Sequence, residues 1–404
     1  MEAVMHETDL QHLAGRHGDD VVNFTRRLVQ TPSLPGYEGE VAKLIEAEME
    51  QLGFDEVSTD QVGNVMGWMR GGDGPAVMFS GHMDHVDPGD VAGWDSPPYS
   101  GDIAQDAVLG RASVDMKGGL AAMIHAAGLV KQHHLALPGT LIVACAVMEE
   151  IGGLGTRALV KRVRPSFAVV GEPSNGKLMR GHRGRVELVA RVTGRSVHAS
   201  VPEQGINPHY ALANFLVQLK GLPMARDPLF GASSVAPTLY VTDQTSANVT
   251  PGEARLTLDW RNVPEETPDQ IIAKLNSLVA ESLPPGADSQ VDVVRRRFRT
   301  YTGYEEDFPS IFPSFVLPGD HPLLQVAQSI LSETLKRPIA VDTWQFATDG
   351  GHLMAAGIPT IGFGPGDPAL AHTNRERLPV SMLVEAVAGY LALATQVDRL
   401  AGLA

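Results

Sequence analysis

Residues 75–87, PAVMFSGHMDHVD, run from an apolar stretch into a cluster of histidine and aspartate. PAVMFSG reads as a buried strand, and SGHMDHVD, Ser80 to Asp87, sits at its carboxyl end. A histidine there can present an imidazole nitrogen to a metal, and Asp84, two residues on, points the same way if the extended geometry persists. His82 is then a candidate ligand and Asp84 its orienter, because a carboxylate that accepts the other imidazole N–H fixes the tautomer and raises ligand basicity. The same pattern fits a strand end that carries polar residues at a turn, so the reading depends on what the rest of the chain supplies.

A chain of 404 residues exceeds the size at which one hydrophobic core usually keeps growing, so two domains are expected. With 43% hydrophobic and 20% charged residues it has ample apolar material for an ordinary globular core. A formal net charge of −15 disfavours nucleic acid and anionic membrane as partners, since both need a basic face. The basic run Arg295 to Arg297 is short and reads as a solvated strand edge. The amino-terminal stretch MEAVMHETDLQHLAGRHGDD lacks a cationic segment followed by an apolar one, so no signal peptide is expected, and LIVACAVM is too short to span a bilayer. Cys145 is the only cysteine, which rules out an intrachain disulfide and gives a cytoplasmic address as the expectation. Inside an apolar strand, it reads as a small buried residue.

Strands and helices alternate through the first third of the chain. Helical spacing covers Gly18 to Leu28 and Glu38 to Leu52, the second ending at Gly53 as a C-cap should. Strands are expected at Val65 to Met69, Ala76 to Ser80 and Phe167 to Val170, with a helix from Gly118 to His133 and a doubly buried central strand in TLIVACAVM. This implies an α/β layer with a largely parallel sheet, whose functional groups cluster at the carboxyl ends of strands. Near Gly184 the order changes to strand (Val186 to Thr193), helix (Asn207 to Leu222), strand (Ala236 to Thr242), strand (Ala254 to Arg261), helix (Pro268 to Leu283) and strand (Gln290 to Arg297), the βαββαβ order of a ferredoxin-like unit. A linker, Tyr301 to Pro318, then leads to a helix (Pro322 to Lys336), a strand in PTIGFG and a last helix (Ser381 to Thr395). The expected division is residues 1–183 and 301–404 as one α/β domain, with 184–300 inserted as an α+β domain.

Four further motifs carry candidate chemistry. GRASVDMKGG, Gly110 to Gly119, places Asp115 at a glycine-rich helix start, where a carboxylate can be a ligand or a simple cap. MEEIGG ends the buried strand with Glu149 and Glu150, which can serve one site only if the strand breaks, and Gly152-Gly153 permits that. Burying two glutamates is costly without a cation or proton to share. GEPS adds Glu172 at another strand end, and AHTNRE offers His372 after the glycine turn at Gly364 to Gly366. Two imidazoles and three carboxylates suit a pair of zinc-like ions bridged by one carboxylate, leaving Glu149 as the base.

These five motifs, in this order over nearly the whole chain, resemble the dinuclear zinc hydrolases that include acetylornithine deacetylase, succinyl-diaminopimelate desuccinylase, aminoacylase and glutamate carboxypeptidase. The resemblance implies a zinc-exopeptidase α/β domain with an inserted lid that commonly forms a homodimer. It implies that His82 binds one ion with Glu172, Glu150 binds the other with His372, Asp115 bridges, and Glu149 is the catalytic base and acid. His198 of GRSVHAS matches a histidine that helps bind the scissile carbonyl, often from the partner subunit. Asn248 and Arg261 of NVTPGEARLTLDWR match an amide and a guanidinium used against substrate. From its chemistry, Arg261 is either a fork for a substrate carboxylate or half of a surface salt bridge. The family pattern has glycine at Ala112 and commonly threonine at His85, departures that remove no ligand. No metal role falls to His85, His182 or His352, since the ligand set is already full.

The implied activity is metal-dependent hydrolysis of an amide in an N-acyl amino acid or small peptide bearing a free carboxylate, with carboxypeptidase or dipeptidase action as the alternative. Dipeptidases of the family tend to carry Asp at the Glu172 position, which favours deacylation or a carboxypeptidase-like cut. Zinc is the expected ion, although N/O ligands discriminate poorly against cobalt or manganese. A non-catalytic relative would be expected to lack Glu149 or a ligand. A serine or cysteine nucleophile is disfavoured because Cys145 lies mid-strand and no G-x-S-x-G elbow occurs.

Overall fold

A computed structural model describes residues 7–400. The first six residues of the stretch read as lacking a signal peptide lie outside the described residues. The chain divides into two compact units: one comprises the residues up to His182, Arg297–Glu306 and the chain from Phe315 onward, and the other Arg183–Arg296 with Asp307–Ser314.

The first unit is built on a nine-stranded sheet. Its centre is parallel: Gly74–His82 lies between Gly139–Ala146 and Phe167–Val170, and Thr360–Gly362 pairs on the far side of Phe167–Val170. The register pairs His82 with Ala146 and Ser80 with Val170, so three strands finish side by side and their following turns share one edge. These strands are apolar on both faces because helices cover both, as parallel sheets require. Helix Gly118–Gln132 is buried from Gly118 through Val130. It can come this close partly because residue 119 is glycine: a Cβ there would stand 2.4 Å from the Gly171 carbonyl, in the turn that leads to Glu172.

Helices occupy Gly18–Val29, Gly39–Gln51, Pro322–Leu335 and Val380–Thr395, close to the expected limits, and Gly53 takes the left-handed conformation that ends the second. Some elements depart from expectation. A helix at Glu7–Arg16 and strands at Leu178–His182 and Val341–Trp344 carry too few periodic apolar residues to stand out in sequence. The expected linker, Tyr301 to Pro318, holds the short strands Ile311–Phe312 and Phe315–Val316, with Pro313 between them breaking what would read as one run. The central strand in TLIVACAVM stops at Ala146, and the chain turns through Met148 at φ +55, so the break falls before the two glutamates and not at Gly152-Gly153.

The second unit has a four-stranded core order of Ser234–Thr242, Glu253–Arg261, Arg185–Thr193 and Asp288–Val293, all antiparallel, with Ile311–Phe312 added beside Arg185–Thr193. Alternation sends Val186, Leu188, Ala190 and Val192 to one face with Leu256, Leu258 and Trp260. Two helices cover that face with Leu212, Phe215 and Leu219, and with Ile271, Leu275 and Val279. Asn207 caps the first, and a Thr267–Gln270 capping box starts the second. This is the ferredoxin-like α+β arrangement, and the first unit is α/β of zinc-exopeptidase type.

Trp344 ties the first unit's core to its functional edge. It is buried, and its Nε1–H donates to the Pro173 carbonyl at 2.9 Å, next to Glu172. A Cβ on Gly362 would lie 1.9 Å from the Trp344 ring. Gly362→Ala is therefore expected to destabilise the protein by ~1–3 kcal/mol through overpacking, measured as a lower urea midpoint at unchanged m; an unaltered midpoint would contradict this packing.

Candidate metal centre

His82 closes its strand, Glu149 and Glu150 follow the neighbouring one, and Glu172 follows the third. Asp115 stands just ahead of helix Gly118–Gln132, with non-helical backbone at φ −119, ψ 94. His372 comes from the loop before strand Arg377–Pro379. That strand pairs with Ala107–Leu109, so the loops bearing His372 and Asp115 run side by side.

Asp115 occupies the middle. Its Oδ1 lies 3.1 Å from His82 Nε2 and its Oδ2 3.1 Å from His372 Nε2. His82 Nε2 is also 3.4 Å from Glu172 Oε1, and His372 Nε2 3.1 Å from Glu150 Oε1. Two ligand atoms on one tetrahedral zinc stand about 3.3 Å apart, and each of these pairs is close to that spacing. Candidate ligand atoms of His82, Glu149 and Glu172 lie within 4.8 Å of one another, as do those of His82, Asp115 and Glu150. The structure thus gathers all six of these side chains at one edge of the sheet.

Electrostatics test whether cations fit. Burial favours protonation of Asp115, yet hydrogen bonds to His372 and His82 hold its carboxyl below the ordinary range. Burial raises Glu172 to about 8, with Asp115 adding to the effect, and it drives Glu149 well above the usual carboxylate range. Glu150 is raised by burial and by Asp115. Hydrogen bonds to Asp115 and Glu150 carry His372 up to about 10. Glu149 Oε1 and Glu172 Oε2 are buried with no hydrogen-bond partner among the described residues. Four carboxylates packed around two imidazoles need more positive charge than the imidazoles bring. An all-N/O donor set with buried acceptors still unsatisfied fits divalent cations.

The supporting bonds differ from expectation in one respect. His82 Nδ1 meets the Asp84 backbone carbonyl at 3.0 Å, whereas the Asp84 carboxylate stands 3.6 Å away. The strand ends at His82, so the period-2 geometry that would aim Asp84 at the ring does not persist. Asp84 instead accepts the Glu149 and Glu150 amide N–H groups, at 3.0 and 3.1 Å. Glu38, fully buried and passed over in the sequence, accepts the Met148 N–H at 3.2 Å. Three successive amides of the glutamate turn are thereby fixed by two carboxylates. Asp349 was also missed: it accepts the Thr156 hydroxyl at 2.6 Å, and burial raises it to about 6. A lone Asp or Glu in a glycine-rich loop offers no periodic signal by which to find it.

Three non-glycine residues with left-handed backbone cluster at the site: Ala112 (φ +69), Met148 (φ +55) and His372 (φ +62). Such strain collects where function over-determines geometry. It also accounts for the glycine that the family pattern has at position 112, since alanine is poorly suited to that region. His85 and His182 are engaged elsewhere, their Nε2 atoms accepting the Ser33 and Thr348 N–H groups at 2.9 and 3.0 Å, and burial depresses His352 to about 3.

In the second unit His198 is exposed, and its Nδ1 accepts the Ser200 N–H at 3.1 Å. The neutral ring therefore carries its proton on Nε2. The Asn248 carbonyl accepts the Ala199 N–H at 2.8 Å, which keeps the two segments together. Arg261 Nε and Nη2 donate to Asp259 at 2.6 and 3.3 Å, the salt-bridge arrangement considered above.

Known proteins resemble this chain in sequence and in fold. The chain is 31% identical over 381 residues to a protein of Escherichia coli K12 named "Uncharacterized protein YgeY", covering 93% of each chain. It is 28% identical to N-formyl-4-amino-5-aminomethyl-2-methylpyrimidine deformylase of Bacillus subtilis, over 93% of this chain and 94% of that one. The crystal structure of aminopeptidase PepT from Bacillus cereus superposes with a TM-score of 0.73 at 22% identity, covering 94% of this chain and 99% of that one, a likeness of fold. Peptidase family M20/M25/M40 matches over residues 78–396, a span that takes in the whole cluster from His82 to His372, and the chain belongs to that family of hydrolases.

Proposed function

We propose that this metallohydrolase cleaves the amide bond of an N-acyl amino acid or small peptide with a free carboxylate, using two divalent cations held by His82, Asp115, Glu150, Glu172 and His372. The observation that carries the reading is Asp115 set between two imidazoles, each of which has its own glutamate. His82 and Glu172 would hold one ion and Glu150 and His372 the other, with Asp115 shared. Bound there, the cations would supply Lewis-acid polarisation of the amide carbonyl and acidify water.

The protein's own groups do the proton work. Burial of Glu149 raises the proton affinity of its carboxylate, which suits a group that takes a proton from attacking water and hands it to the leaving amine. The bonds from its own N–H and that of Glu150 to Asp84 hold the turn while the proton moves. In the lid, His198 presents an Nε2–H that suits an oxyanion. Asn248 and Arg261 would face the substrate, Arg261 through the guanidinium edge not taken by Asp259. The deformylase relative acts on an N-acyl group, as its name states, and this favours deacylation over peptide cleavage. Zinc is the proposed ion and the cytoplasm the proposed compartment.

The homodimer is proposed to form through the lid. Strand Ser234–Thr242 pairs only with Glu253–Arg261 among the described residues, and on this free edge Leu239 and Val241 are 60% and 54% exposed. Tyr240 stacks on His209 of a helix whose Tyr210 and Val217 are also exposed. An apolar edge strand of this kind calls for a covering partner.

Two results are expected. Glu149→Gln should keep its metal, by elemental analysis, while kcat for acyl amino acid hydrolysis falls by about 10²–10⁴-fold; His82→Ala and His372→Ala should lose metal as well, and near-normal turnover in Glu149→Gln would end the assignment. Leu239→Lys should convert a dimer to a monomer by light scattering; a parent protein already monomeric would remove the dimer proposal.

A further inference from the structure

The loop that supplies His372 also carries Glu376, which the functional reading leaves unused. Its side chain is fully buried. Oε1 accepts the N–H groups of Val114 and Asp115, both at 3.0 Å. Oε2 accepts Arg111 Nη1–H at 2.6 Å, and the same nitrogen reaches the Thr373 carbonyl at 3.2 Å. The Gly110 N–H donates to the Glu376 carbonyl at 3.1 Å, and the Arg111 guanidinium lies over the Trp94 ring at 5.1 Å from its centroid. One carboxylate thus joins the two ligand-bearing loops, with Arg111 completing the brace.

A buried Arg–Glu pair can be a purely structural feature. Two details point beyond that. The amides that Glu376 holds are those of Asp115, whose backbone is non-helical, and of its immediate neighbour Val114. Glu376 also lies four residues after His372, and the loop between them is held on the same side through the Thr373 carbonyl, bonded by Arg111, and the Glu376 carbonyl, bonded by the Gly110 N–H. The distance from Asp115 Oδ2 to His372 Nε2, 3.1 Å, is therefore set across this brace.

We propose that Glu376 is a positioning residue of the metal centre, fixing Asp115 against His372 at the spacing that one of the two cations requires. The inference rests on the metal-centre reading given above. A glutamine at 376 has one acceptor oxygen for two sets of donors, so either the paired amides or Arg111 must face an NH₂ group. The outer partners of metal ligands typically contribute about 10–100-fold to metal affinity.

The test is a Co²⁺ titration of the metal-free full-length protein, followed by visible absorption and by competition with a chromophoric chelator. The parent is expected to bind two ions. Glu376→Gln should weaken one of the two binding steps by about 10–100-fold and alter the cobalt absorption bands. If Glu376→Gln does not fold, Glu376→Asp is read in the same way, since it keeps the charge opposite Arg111 but is too short to hold both amides. Two parent-like binding steps with a parent-like spectrum, whatever the change in Tm, would overturn the positioning role. A parent protein that binds no cobalt would instead sink the metal-centre reading itself, so the two failures are distinguishable.

Discussion

Asp115 holding two imidazoles at equal distance, one on each carboxylate oxygen, is the interaction on which the rest of the site depends. It places His82, from the middle of the sheet, and His372, from a loop 290 positions later in the chain, on opposite sides of one anion. Around this axis stand Glu149, Glu150 and Glu172, all driven toward protonation by burial. Such a concentration of carboxylates in a buried space is unfavourable unless positive charge is taken up among them. The same feature that makes the site costly to build therefore makes it a strong receptor for cations.

The fold meets that demand by rigid placement. Parallel strands that finish in register deliver His82 and the turns before Glu149 and Glu172 to one edge, as open α/β sheets do with their binding groups. The turns are then fixed through backbone amides. Asp84 and Glu38 take the N–H groups of residues 148–150, and Glu376 takes those of residues 114 and 115. The turns are thus held at their amides by buried carboxylates, while left-handed backbone at Ala112, Met148 and His372 shapes the approaches.

Much of this was legible in the sequence for identifiable reasons. Continuous apolar runs ending abruptly in charge, as in PAVMFSGHMD and LIVACAVMEE, mark buried strands and their functional ends at once, and the βαββαβ order of the second unit follows from alternation and helical spacing. What escaped was non-periodic or long-range. Glu38 and Glu376 sit in loops where a glutamate reads as solvated, and only the fold brings them to amides 110 and 262 positions away. Asp84 meets the His82 ring more closely through its carbonyl than through its carboxylate because the two residues after His82 lie outside the strand. Pro313 hid the two short strands on either side of it.

Anomalous diffraction at the zinc edge, from crystals of the protein grown with zinc, reads the shared-aspartate arrangement directly. Two peaks about 3.5–4 Å apart are expected, both within bonding distance of Asp115, one also touching His82 and Glu172 and the other Glu150 and His372. A single peak, or a pair of which only one touches Asp115, would contradict a centre built on a carboxylate held in common.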